Sequence, residues 1–256
     1  MRAIVILPLL LAACGGTPEA PVIPAADTAA LRPRLPDTTT ARADTAAAAP
    51  AAQPARAAAA PASPADGRFL LVQGGNPIAT EDFRRTAGGF EAELQPSGGQ
   101  PGLSYQARVT SQALIDSLAV EMETPGGEPQ RLVLMLEQSG DSAVVRYTQW
   151  RGDSAVERTV GTRAGAVFYL NPSPSMMEQI VRRARALGGD SVSVPIFMPI
   201  GPGRTALVAV TFPHADSAVT NVGGVAVRMR VDEEGRLLGA TVPTQGLSIE
   251  REDAAR

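Results

Sequence analysis

No lysine occurs in this sequence; all 23 basic side chains are arginine. That absence excludes a Ser-x-x-Lys nucleophile, a Schiff base and a P-loop phosphate site, each of which needs the lysine amine. There is one cysteine, so no intramolecular disulfide and no cysteine zinc cluster can form. A single histidine beside it cannot complete a nitrogen–sulfur zinc site. Aromatic residues are only 4% of the chain, and the net charge is only -3. Neither a nucleic acid nor an anionic bilayer is implied by so balanced a surface. A long apolar run is also missing: the stretch from Ala3 to Leu11 is interrupted by Pro8 and falls short of the ~20 residues a membrane-spanning helix needs.

What is present at the start has the layout of a secretory signal, with Arg2 as its early charge, a short apolar stretch and small residues before a cleavage point. The cysteine, Cys14, stands directly after Leu11-Ala12-Ala13. This run resembles the lipobox of bacterial lipoproteins at all four positions. The resemblance implies cleavage before Cys14, diacylglycerol on its sulfur and acylation of the new amine. Several acyl chains, at roughly 0.8 kcal/mol per buried CH₂, anchor a protein stably where a single chain does not. Residues 1–13 are then the signal peptide and Cys14 the lipid attachment site, an anchor and not a catalyst. Gly15 follows, where enterobacterial lipoproteins kept at the inner membrane carry Asp, so the resemblance places the chain at the outer membrane of a bacterial envelope.

Residues 14–66 read as a disordered Ala/Pro-rich tether. From Gly15 to Asp66 there are 20 alanines, 9 prolines and no aromatic residue. Alanine buries too little surface to offset backbone ordering, and the prolines interrupt helix starts. Fully extended, such a segment reaches at most ~3.1 Å per residue.

Residues 67–256 have the size of one domain. Turn residues recur at short intervals: Gly74-Gly75-Asn76-Pro77, Gly88-Gly89, Pro125-Gly126-Gly127, Ser139-Gly140-Asp141 and Arg151-Gly152-Asp153. They divide the chain into strands at 69–72, 78–85, 90–94, 103–110, 114–123, 131–138, 143–150, 155–161 and 166–170. More follow near 190–198, 204–212, 217–222, 225–231, 236–242 and 247–251. In Val225–Val231 apolar residues alternate with Arg228 and Arg230, the period of a strand with one wet face. Leu132-Val133-Leu134-Met135-Leu136 is apolar throughout, which predicts cover on both faces.

One amphipathic helix is expected at Ser175–Leu187, opened by a Ser175/Glu178 capping box behind Pro174 and stopped by Gly188-Gly189. Met176, Met177, Ile180, Val181, Ala184 and Leu187 share a face, with Arg182, Arg183 and Arg185 pointing outward. The fold expected is mainly β: a curved antiparallel sheet, half-barrel or barrel-like, of about a dozen strands with this helix packed on it.

Chemistry is sparse. His214, with Asp216 two residues on, is the only candidate for a hydrolase base, but no Gly-x-Ser-x-Gly elbow accompanies it. The Asp-Ser pairs at 141, 153, 190 and 216 lack the Asp-x-Asp-x-Asp-Gly order of a calcium loop and read as turn punctuation. Arg151-Gly152-Asp153 is a cell-adhesion tripeptide that falls in a predicted hairpin turn. The acid pairs Glu121/Glu123 and Glu233/Glu234 are not brought together across a cleft by anything in the sequence. Arg84-Arg85 reads as a wet strand edge, and Gly201-Pro202-Gly203 is too short for a phosphate loop. No catalytic residue, metal site or cofactor is assigned.

Residues 67–256 are similar, at fold level, to LolA/LolB-like half-barrel lipoproteins, whose curved sheet wraps around helices. The resemblance carries over no functional residue; the reading set first is a non-enzymatic domain binding an apolar ligand or a partner protein between helix and concave sheet, with Met176, Met177, Ile180 and Val181 either lining that space, since flexible thioethers adapt to irregular apolar ligands, or simply filling the core. Two alternatives stand beside it: an assembly lipoprotein pairing through a sheet edge, and a periplasmic hydrolase using His214.

Overall fold

The computed structural model describes residues 65–124 and 126–253. They form a mainly β domain, one 15-stranded curved sheet that is not closed, with a single α-helix. The predicted intervals all become strands, fifteen rather than a dozen. The first eight run as a meander: β1 (Ala65–Gln73), β2 (Asn76–Thr86), β3 (Gly89–Pro96), β4 (Leu103–Val109), β5 (Ile115–Met122), β6 (Gln130–Ser139), β7 (Ser142–Arg151) and β8 (Ser154–Arg163). The chain then crosses to β9 (Val167–Phe168) and passes through α1 (Pro174–Leu187). A second meander returns along β10 (Ser191–Met198), β11 (Arg204–His214), β12 (Ser217–Val222), β13 (Val225–Val231), β14 (Leu237–Val242) and β15 (Leu247–Asp253). β15 pairs antiparallel with β1, joining the meanders, and β9 pairs parallel with β10. Consecutive strands β8 and β9 therefore lie at opposite edges of the sheet.

The turns explain the meander. Gly140 and Gly152 adopt φ 57° and 54°, a region open to glycine, as the first residues of two-residue hairpin loops closed by Ser139↔Ser142 and Arg151↔Ser154. The serines of all four Asp-Ser pairs begin strands: β7, β8, β10 and β12.

Alternation puts one face of each strand inward. Phe69, Leu71, Leu118, Leu134, Val145, Val194, Val210 and Ile249 are almost wholly buried, with Phe69 stacked on Phe83 at 4.9 Å. Each such side chain contributes about 1.5–3 kcal/mol. β6 corrects the expectation of two covered faces. Leu132, Leu134 and Leu136 are buried, whereas Val133 is half-buried and Met135 is 41% exposed, because nothing packs on the outside of the sheet there.

The helix lies within the curve of the sheet, with Pro174–Val181 and Ala184 buried. Its start corrects the predicted capping box. Ser173 is the N-cap, its Oγ accepting from the Met176 N–H at 3.1 Å, and Pro174 occupies the first turn, where a missing N–H does no harm. The Ser175 N–H instead donates to Glu81 Oε1 on β2 at 2.8 Å. At the other end the Gly188 N–H donates to Ala184 and Arg185 carbonyls, both at 3.1 Å.

Candidate functional site

Alternation on β2 and β15 points Glu81, Arg85 and Arg251 inward among aromatic rings, where they meet polar groups of the helix. Glu178 Oε1 lies 3.0 Å from Arg85 Nε and 3.1 Å from Arg182 Nε, while Oε2 accepts from Arg251 Nη1 at 3.0 Å and the Leu237 N–H at 2.9 Å. The Arg85 Nε contact is an ion pair without hydrogen-bond angle; its Nη1 donates to Gln179 Oε1 at 3.0 Å. Guanidinium groups also sit over rings, Arg85 on Phe90 at 4.4 Å and Arg251 on Phe83 at 4.7 Å. Burial lowers the Arg85 pKa from its ordinary value, with Glu178 opposing. Beyond this cluster Tyr105 Oη and Ser173 Oγ are 2.5 Å apart. Burial pushes the Glu81 carboxyl above the ordinary carboxylate range, opposed by the hydrogen bond from the Ser175 N–H, and its Oε2 makes no hydrogen bond.

Glu81, Arg85, Glu178, Arg182 and Arg251 hold the helix and line neither the small void nor the open depression of the described residues, which Tyr105 alone of the group borders. Met176, Met177, Ile180 and Val181 lie between 0% and 8% exposed in the core. The void beside Met177 and Ile180, bounded by Tyr169, Val227 and Met229, is about 10 Å³, roughly room for one water and none for an acyl chain. Arg182, expected to point outward, is folded against Glu178; Arg183 and Arg185 reach the Gln112 and Ala215 carbonyls. Of the pair read as a wet strand edge, Arg84 is exposed and Arg85 is buried.

His214 is exposed at the end of β11, where its N–H donates to Ser217 Oγ at 3.2 Å. Among the described residues no cluster of His, Cys, Asp and Glu has a metal-binding arrangement, and no helix is long and apolar enough to cross a membrane. Cys14 lies outside the described residues. An open depression of about 830 Å³ lies over β1–β6, where exposed charges are largely paired: Arg68 with Asp82 at 2.7 Å, Arg84 with Glu91 at 3.5 Å, Arg131 with Glu121 at 3.9 Å. Exposed pairs of this kind contribute about 0–1 kcal/mol each.

The strongest unsatisfied feature is an edge. β8 is 10 residues long, pairs in unbroken register with β7 and is exposed from Ser154 to Thr159. With Arg151↔Ser154 closing the hairpin, Ser154, Val156, Arg158 and Val160 turn their backbone groups to β7. Ala155, Glu157, Thr159 and Gly161 turn N–H and C=O away from it, and no strand of the described residues pairs there. At the far end Thr162 Oγ1 meets Thr205 Oγ1 of β11 at 2.6 Å, so the curled sheet touches itself there without pairing. The opposite edge, β9, is 2 residues long. The sequence offered the turn signal Arg151-Gly152-Asp153 ahead of β8 but nothing to tell an edge from an interior strand.

No family model and no curated protein matches this chain. Two solved structures are similar. A DUF1089 family protein from Pseudomonas aeruginosa is 18% identical, with a TM-score of 0.48 over 64% of this chain and 89% of its own. A beta-barrel-like protein of domain of unknown function DUF1849 from Brucella abortus is 11% identical, with a TM-score of 0.43 over 75% of this chain and 95% of its own.

Proposed function

We propose that this chain is a lipid-anchored protein of the bacterial envelope, attached through Cys14 to the outer membrane, whose β domain performs no catalysis and engages a partner protein by strand pairing at β8. The observation that carries the reading is the contrast between the edges. β9 is blunted by shortness, whereas β8 runs for 10 residues without proline or bulge and carries Arg158 as its one inward charge on the free stretch, so most of the devices that protect an edge from adding a strand are missing. The packed interior supports the same reading, since a void of about 10 Å³ leaves the surface as the place of binding. The tether supplies reach between membrane and partner.

Two measurements test it. Radiolabelled palmitate is incorporated by the wild type and not by Cys14→Ser; equal labelling, or none in either, removes the anchor. A photo-crosslinking amino acid at Glu157 joins the chain in cells to one identified envelope protein, and Thr159→Pro abolishes the adduct. Proline suits that position as a probe because the Thr159 N–H points away from β7, so the ladder within the domain survives. A crosslink that Thr159→Pro leaves unchanged removes the edge from the account.

A further inference from the structure

The charges along β8 say which kind of strand fits the edge. This inference rests on the reading of β8 as a docking edge and specifies its occupant. The stretch free to accept a strand runs from Ser154 to about Val160, because Thr162 is already against Thr205. On it, Val156, Arg158 and Val160 face the inner side of the sheet, in line with Gln149, Tyr147 and Val145 of β7. Glu157 and Thr159 face the outer side, in line with Thr148 and Arg146. Val156 is 50% exposed although it faces inward, because the sheet is open at that end.

A second copy of the chain is the first occupant to consider, since an exposed strand can pair with itself about a two-fold axis. Such an axis is perpendicular to the sheet and opposes residues of the same face, so the registers filling the free stretch centre on Glu157 or on Arg158. The first sets Glu157 against its own copy, the second Arg158 against its own. Like charges directly opposed across strands are destabilising. Centring the register on Val156 escapes them but leaves Thr159 and Val160 opposite the partner's hairpin turn, outside the ladder, and centring it on Thr159 drives the partner into the Thr162–Thr205 contact.

We infer that β8 takes an extended segment of a different protein, one with aliphatic residues opposite Val156 and Val160, an acidic residue between them opposite Arg158, and a basic residue opposite Glu157. An antiparallel segment meeting these demands reads aliphatic, any, acidic, basic, aliphatic. Its acidic side chain lies on the inner side with the two aliphatic ones, and its basic one on the outer side. Alternate residues of such a segment bond Ala155, Glu157 and Thr159 through the main chain, which supplies affinity, while the two charge pairs fix register.

The test uses the purified full-length protein and the synthetic peptide Ser-Thr-Val-Thr-Asp-Lys-Val-Thr-Ser. Its comparator, Ser-Thr-Val-Thr-Lys-Asp-Val-Thr-Ser, has the same composition with the charges exchanged. Binding is followed by the fluorescence of Trp150, the chain's single tryptophan, which lies opposite Ala155, and by amide exchange. The first peptide binds saturably, about tenfold tighter than the second. It slows exchange at Ala155, Glu157 and Thr159 and leaves the rest of the domain unchanged. Thr159→Pro abolishes binding; should that variant fail to fold, Glu157→Pro serves in its place, and the peptide comparison needs no variant. Equal binding of the two peptides, or binding that survives the proline, overturns the inference. So does a dimer in sedimentation that either proline dissolves, since the occupant is then a second copy. If neither peptide binds while the Glu157 crosslink in cells remains sensitive to Thr159→Pro, this charge pattern is wrong and the edge reading stands. Loss of both removes both.

Discussion

Replacing Glu178 by glutamine tests whether the helix is held by charge as well as by packing. The side chain is 2% exposed, and those of Arg85, Arg182 and Arg251 around it are 4%, 10% and 4% exposed. Glutamine has nearly the same shape and keeps an oxygen for the Leu237 N–H, so the change removes charge rather than volume. What remains is a group of buried guanidiniums without the carboxylate on which they converge. Removing one partner of a buried ion pair costs about 3–5 kcal/mol, a large share of the ~5–15 kcal/mol by which a domain is stable. For a domain of this size each kcal/mol moves the Tm by about 2–4 °C, so Glu178→Gln lowers it by about 6 °C or more. Thermal unfolding followed by far-UV circular dichroism measures this. Glu137→Gln is the control: its partner Arg146 lies 3.2 Å away, but the two side chains are 55% and 65% exposed, and the expected loss is within ~1 kcal/mol. Molar salt leaves the Glu178→Gln deficit in place, because buried pairs are screened little. A Tm for Glu178→Gln no lower than that of Glu137→Gln refutes the reasoning.

Glu81 gives a pH dependence. Its folded pKa is raised by burial, so the folded state holds the proton more tightly than the unfolded chain. Stability therefore falls as pH rises from the ordinary carboxylate range to the raised folded value. Glu81→Gln keeps an acceptor for the Ser175 N–H and has nothing to ionise, so its urea midpoint falls less than the wild type's over that interval; equal slopes contradict the assignment. Ser173→Ala removes the N-cap and the partner of buried Tyr105, and chemical denaturation is expected to show a loss of about 1–2 kcal/mol. Met176→Ala, at a site 0% exposed, is expected to cost about 2–5 kcal/mol in the same assay; unchanged stability contradicts the packed interior. Replacing both Glu157 and Arg158 by threonine removes the like-charge opposition along β8, and light scattering is expected to show self-association that Thr159→Pro suppresses.

Strand limits were legible because every meander turn is local: glycines at φ 57° and 54° and the Asp-Ser pairs at 141, 153 and 216 mark hairpins through chemistry confined to a few residues. The pairing of β1 with β15 was not, because it joins the two ends of the domain and no local signal encodes it. The interior charges were hidden for a related reason. Arg85 and Arg251 stand at alternate positions among polar neighbours, where one strand alone suggests water, and only the helix opposite supplies their counter-charge. Glu178 was misread as a cap residue because Ser-x-x-Glu spacing fits a capping box, yet Ser173 and Glu81 had already satisfied the donors of that first turn. On β6 the apolar run gave no period with which to tell inside from outside, and Met135 is exposed.

The open edge follows from the connection that carries the helix inside. To enclose α1 the chain must leave the sheet after β8 and re-enter on the far side, and it does so with a strand of 2 residues before the helix begins. A barrel closes only if its edge strands pair along their lengths at a consistent tilt and register. Against β8, β9 offers too little backbone, and the contact between Thr162 and Thr205 meets β11 by side chains instead. Lengthening β9 would demand backbone from the segment that turns into Ser173, whose Oγ caps the helix. The same few residues therefore cannot both cap the helix and complete the barrel. A filled interior and an unpaired β8 are in this sense one feature of the fold, and a substitution that closed the edge would be expected to loosen the helix.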